Sequence, residues 1–144
     1  MRRKGWAILL LSLLLAQSPH RVRERLQSMR IAYLSNEMQL MPEEAQTFWP
    51  LYNAREAELQ KVRSIAREQL KRLREKQPVL SAEAYADSVS LIYLGLWRRE
   101  AEIRQSFHDR FKKCLPPEKL ARFYLAELFL LRRAWGEEVA LPRE

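Results

Sequence analysis

The sequence predicts an all-α fold of four helices, arranged as two helix-turn-helix units with long central helices. Three observations predict it. Apolar residues recur at spacings of three and four through most of the chain, and no stretch alternates with period two for long enough to form a strand. Glycine occurs only at positions 5, 95 and 136, and there is no low-complexity linker. Two segments of one design stand far apart: Leu40-Met41-Pro42-Glu43-Glu44 and Leu115-Pro116-Pro117-Glu118-Lys119, each leading into aromatic residues.

The first helix is expected from about Arg21 to Met38. Its stripe is Val22, Leu26, Met29 and Tyr33, widened by Ile31, Leu34 and Met38, with Met29, Met38 and Met41 read as core. The second helix should open at Pro42, where the missing N–H of proline would have no partner anyway. Glu43 and Glu44 suit its positive N-terminal end. Its apolar line is Phe48, Tyr52, Leu59, Val62, Ala66, Leu70 and Leu73. Pro50 lies too deep to open it and is expected to bend it. Gln77-Pro78 should end it after about Lys76.

Ser81 is a natural cap for the third helix, expected from Ala82 to about Lys113. Tyr85, Val89, Ile92, Leu96, Ile103, Phe107 and Phe111 trace its core line. The fourth helix should run from Pro117 to Trp135, closed by Gly136. Helices two and three, each above 30 residues, reach roughly 45 Å at the usual rise. The shorter helices cannot cover both of them, so the long pair should project from a bundle or meet a second copy. The run Phe123 to Leu131 is apolar almost all round, as a central helix of the bundle would be, or a helix that meets a partner chain; Phe123, Leu125, Phe129 and Leu130 are the candidate dimer or partner face.

Residues 1–18 read as a cleavable secretory signal: Arg2, Arg3 and Lys4 precede the apolar run Trp6 to Ala16. That run is short for a transmembrane helix, so any membrane attachment is expected only through an uncleaved signal. Residues 19–136 are then one helical domain and 137–144 a C-terminal tail. The net charge of +8 falls to +5 without Arg2, Arg3 and Lys4. Nucleic acid is a poor partner for an exported protein without a reader motif, despite the basic balance. The one cysteine, Cys114, cannot form an internal bridge, so packing alone must hold the fold.

The segment Leu40-Met41-Pro42-Glu43-Glu44-Ala45-Gln46-Thr47-Phe48-Trp49-Pro50-Leu51-Tyr52-Asn53 resembles the first motif of small periplasmic helical proteins of the Spy/CpxP type. It is most similar to the branch called sensors of ECF-type sigma factors or periplasmic heavy-metal sensors. The motif residues matched are Leu40, Pro42, Glu43, Glu44, Phe48, Trp49, Pro50 and Tyr52, with Leu115, Pro117 and Glu118 in the second copy. The family is defined by two Leu-Thr-x-x-Gln motifs. Here Met41 and Pro116 replace the threonine, and Glu44 and Lys119 replace the glutamine. Neither Met41 nor Pro116 can cap a helix through a hydroxyl. The resemblance, over about residues 24 to 135, implies a periplasmic protein, an antiparallel homodimer and a role in envelope stress.

Catalysis finds little support. His20, His108 and Cys114 are not spaced for one helical face, and no phosphate loop, nucleophile elbow or compact metal-ligand motif occurs, so neither an enzyme nor a cofactor is expected. Arg63, Arg67, Lys71 and Arg74 line one face of the second helix at spacings of four, four and three. They could be a solvated face, or a positive surface that holds unfolded or acidic polypeptide beside apolar patches. The leading expectation is an ATP-independent chaperone or stress accessory that binds unfolded or partner polypeptides. The alternatives are a regulatory adaptor acting on an anti-sigma factor or sensor kinase, and a metal-binding stress-resistance protein.

Overall fold

The computed structural model of the chain describes residues 19–134. Residues 1–18, expected as a signal, and residues 135–144, with Gly136 and the expected tail, lie outside the described residues. Of those described, 94% are helical and none is in a strand. Only short joints are left between helices α1 (Pro19–Met38), α2 (Pro42–Lys76), α3 (Ala82–Cys114) and α4 (Pro117–Ala134). A 3-10 turn, Gln77–Val79, follows α2 directly. The fold is all-α, as the spacing predicts.

Each helix boundary has a local cause. α1 leaves through Gln39, whose φ of 49° is left-handed and whose N–H reaches the Ser35 carbonyl at 3.0 Å. No glycine or asparagine marks that exit in the sequence. α2 opens at Pro42 and passes through Pro50 without a break. Met41 is extended, and its N–H donates to the Glu44 carboxylate at 2.8 Å. This is the half of a capping box that needs no hydroxyl. Ser81 caps α3 by accepting from the Ala84 N–H at 3.1 Å. Leu115 is extended and ends α3, with its N–H on the Phe111 carbonyl at 2.9 Å. Pro117 then starts α4 as Pro42 starts α2.

The chain forms two compact units. One, residues 40–121, is the α2–α3 hairpin with the start of α4. Its core lies at the end of the hairpin away from the connecting turn. Phe48, Tyr52 and Leu59 of α2 and Ile103, Phe107 and Phe111 of α3 are buried there, with Leu115 and Leu120. Phe48 and Phe111 meet at 5.3 Å between ring centres, and Phe107 lies 6.3 Å from Phe111. Arg55 is the exception in this apolar set. Its guanidinium is only 2% exposed, sits 5.0 Å from the Tyr52 ring and 5.4 Å from the Phe111 ring, and pairs with Glu56 at 3.0 Å. Stacking on aromatic faces lets a weakly hydrated guanidinium occupy a site a lysine would not.

The other unit comprises the α1 side, to residue 39, and the chain from residue 122. Arg30 pairs with Glu127 at 3.3 Å and Tyr33 stacks on Phe129 at 5.5 Å. Leu34 and Met38 are fully buried, whereas Leu26 and Met29 are exposed. Among the α1 side chains described, the buried ones lie in its last turns, next to these pairings. Met41, at the start of the hairpin unit, is also exposed. Of the methionines expected in the core, only Met38 is there.

Candidate polypeptide-binding surface

The half of the hairpin nearest the turn buries almost nothing. From Gln60 to Arg99, Ala66 alone is buried. Tyr85, Val89, Ile92 and Leu96, expected as core, are only half-buried because α2 is the sole element of this unit against them. Ile65, Leu91, Tyr93, Leu94 and Trp97 are exposed large apolar residues on this half.

The register of the hairpin follows from one bonded cluster. Arg63 of α2 donates through Nε to Glu100 Oε1 at 2.6 Å and through Nη2 to Oε2 at 3.3 Å. Arg104 donates to the same carboxylate at 2.7 Å. Burial alone would push the Glu100 carboxyl up, but the hydrogen bonds from Arg63 and Arg104 outweigh it and hold it below the usual range. The same contact raises the Arg63 guanidinium above its ordinary value.

That cluster fixes which sides of the two helices coincide. Arg67, Lys71 and Arg74 continue the Arg63 side of α2 at helical spacing, and Trp97 and Tyr93 continue the Glu100 side of α3. One flank of the hairpin therefore carries three exposed bases beside an exposed aromatic pair. Tyr93 and Trp97 meet edge to face at 6.1 Å. No ion pair among the described residues engages Arg67, Lys71 or Arg74. Arg63 differs from the other three, because its charge is committed to Glu100.

The opposite flank is a shallow groove of about 460 Å³, with walls that include Val62, Ile65, Ala66, Leu91 and Gly95. A Cβ placed on Gly95 would meet nothing within 4 Å. Two ion pairs lie on this flank, Arg72 with Glu68 at 3.0 Å and Arg99 with Glu102 at 2.8 Å. The two flanks thus differ in kind: one carries unpaired bases beside an aromatic pair, the other an apolar groove with ion-paired charges.

The motif residues have structural positions. Phe48, Tyr52 and Leu115 are buried core, Trp49 and Leu40 are half-buried, Pro42, Glu43, Pro117 and Glu118 are exposed at helix starts, and Pro50 is exposed inside α2. Glu44 joins the two helix starts, accepting from Lys119 Nζ as well as from Met41. The hydrogen bond from Lys119, then that from Met41, holds the Glu44 carboxyl below its ordinary value. The two residues that replace the glutamines of the resembled motif are therefore bonded to each other.

On α4, Phe123 has no exposed surface, and Phe129 and Leu130 are half-buried. The apolar surface offered there is Leu125, Leu128 and Leu131, at spacings of three. Leu125 alone of the residues expected on a partner face is exposed. Trp97 and Tyr93 went unmarked in the sequence. Their signal was an aromatic pair four residues apart that lies off the core line through Ile92, Leu96 and Ile103.

Cys114 is half-buried, its Sγ lies 3.4 Å from the Phe111 carbonyl oxygen, and burial pushes its thiol up. Among the described residues no group of three His, Cys, Asp or Glu side chains could hold a metal ion. No described helix is long and apolar enough to cross a membrane. Compared with family models, curated proteins and solved structures, the chain matches none.

Proposed function

We propose that the protein is an ATP-independent, polypeptide-holding protein of the periplasm, of the Spy/CpxP kind, exported by its basic-apolar leader. One observation carries the reading. The turn half of the hairpin exposes Ile65, Leu91, Tyr93, Leu94 and Trp97 while burying only Ala66, so its apolar surface does little for the fold. Apolar surface displayed on that scale marks an interaction site. The interleaved bases draw polypeptide to it. Self-association through Leu125, Leu128 and Leu131 of α4 forms the homodimer that the resemblance implies.

The test is suppression of aggregation of a denatured client by the full chain without nucleotide. Leu91→Ser with Leu94→Ser should reduce suppression and leave thermal melting unchanged, because both side chains are exposed. A double variant with full activity, or a wild-type chain with none, overturns the reading. Crosslinking in envelope extract separates many clients from one defined partner. The latter would make the protein a regulatory adaptor.

A further inference from the structure

We infer that the basic flank of the hairpin is the ligand-selective face, and that it takes acidic polypeptide segments carrying apolar or aromatic side chains. This rests on the polypeptide-holding reading and names the flank, the contact residues and the ligand chemistry. Between Gln60 and Arg99 the chain carries nine basic and four acidic side chains, so this half of the hairpin is basic. The groove flank pairs Arg72 with Glu68 and Arg99 with Glu102. The basic flank leaves Arg67, Lys71 and Arg74 exposed and outside those pairs. They rise along about 10 Å of helix, the span of a few residues of bound chain.

Tyr93 and Trp97 lie on the same flank, 58% and 49% exposed. Two flat rings beside three cations give one patch two recognition chemistries, carboxylates on the bases and an apolar side chain on the rings. A purely charged polyanion would use the bases and leave the rings idle. A second copy of this hairpin is a poor occupant, because it would set the same bases against themselves. Arg63 is excluded from ligand contact by its two bonds to Glu100 and acts instead to fix the two helices in register.

The experiment measures binding of fluorescein-labelled peptides to the full chain by anisotropy. The probe is an alternating Glu-Leu peptide. Lys-Leu and Glu-Ser peptides and phosphatidylglycerol vesicles are the comparisons. The Glu-Leu peptide should bind best and weaken as salt rises. Arg67→Glu with Lys71→Glu and Arg74→Glu should weaken it about tenfold or more. Tyr93→Ala with Trp97→Ala should weaken it by about the same factor, and Gly95→Leu, on the other flank, should not change it. All these side chains are exposed or absent, so circular dichroism should be unchanged.

Binding should also perturb tryptophan emission in the wild type and not in Trp97→Phe. Equal binding of Lys-Leu, or an unaffected triple variant, overturns the assignment of the bases. Equal binding of Glu-Ser, or preference for the vesicles, overturns the polypeptide class. Aggregation suppression that persists while the Glu-Leu peptide fails to bind overturns this inference and leaves the proposed function standing. Failure of both overturns both.

Discussion

At one end of the α2–α3 hairpin, Phe48, Tyr52, Leu59, Ile103, Phe107 and Phe111 interlock with Leu115 and Leu120 and are shut off from water. At the other end the same two helices lie side by side with Ala66 as their only buried residue. The difference is not one of helix formation, since both ends are continuous helix. It lies in how many layers each end has. Two helices alone bury one narrow stripe each, and a core needs a further element across it. Stability and recognition can therefore be separated along one pair of helices, and substitutions at the two ends should behave differently.

The largest expected effect is at the packed end. Phe48→Ala or Phe111→Ala removes a fully buried ring and should cost about 3–5 kcal/mol. Leu91→Ala or Trp97→Ala at the open end should stay within about 0.5 kcal/mol. Urea unfolding of the four variants checks this. Equal losses at the two ends would mean that the open end is covered in solution. Trp49, half-buried against Phe48 and Tyr52, should fall between the two groups.

The next effect lies at the boundary between the ends. Glu100→Gln removes the anchor of Arg63 and Arg104 and should cost about 1–2 kcal/mol. That is less than for a fully buried ion pair, because the two arginines keep about a third of their surface in water. The carboxyl is held below its ordinary 4.5 in the fold. Its contribution is therefore fully present above the unfolded value and is lost as pH falls through the folded one. Stability of wild type and variant, compared from neutral to acid pH, should converge at the acid end. Parallel curves would show that the cluster carries no net stability.

Much of this arrangement was legible in the sequence. Pro42, Ser81, Pro117 and the Gln77-Pro78 pair mark helix limits through backbone chemistry alone, and the limits stand where they mark them. What was not legible depends on a second element. The pairing of Arg63 with Glu100 needs the register between two helices, which no single periodicity contains. Arg55 fills the gap in the apolar line between Tyr52 and Leu59, and its burial follows from aromatic neighbours on another helix. Likewise the apolar run of α4 does not say which of its sides is covered, and Phe123 is buried where Leu125 is not.

A smaller effect of opposite sign is expected at Gly95, inside α3 at the open end. Glycine in a helix interior costs roughly 0.5–1 kcal/mol relative to alanine. A Cβ there would meet nothing within 4 Å, so no packing offsets that cost. Gly95→Ala should raise stability by about that amount in urea unfolding. A loss instead would show that something already occupies the groove.

The smallest effect is at the start of the packed end, where Glu44 and Lys119 are bonded. Each side chain keeps 20% of its surface exposed, and a single base pairs with Glu44 where two arginines share the Glu100 carboxylate. Glu44 also accepts from the Met41 N–H at the start of α2, a bond that glutamine can keep. Glu44→Gln alone should therefore lose the charge pairing with Lys119 and retain the cap. Lys119→Gln alone should lose the same pairing. The double variant restores the two glutamines of the resembled motif, and its loss should be smaller than the sum of the single losses, because the pairing can be lost only once. The Glu44 carboxyl is held low by Lys119 and then by Met41, so the wild-type advantage is present above its unfolded pKa and fades as pH falls through the folded one. Thermal melting of the four proteins in low and high salt checks this. Additive losses in the double variant would mean that the two helix starts act independently, and that the matched replacements at Glu44 and Lys119 do not compensate each other.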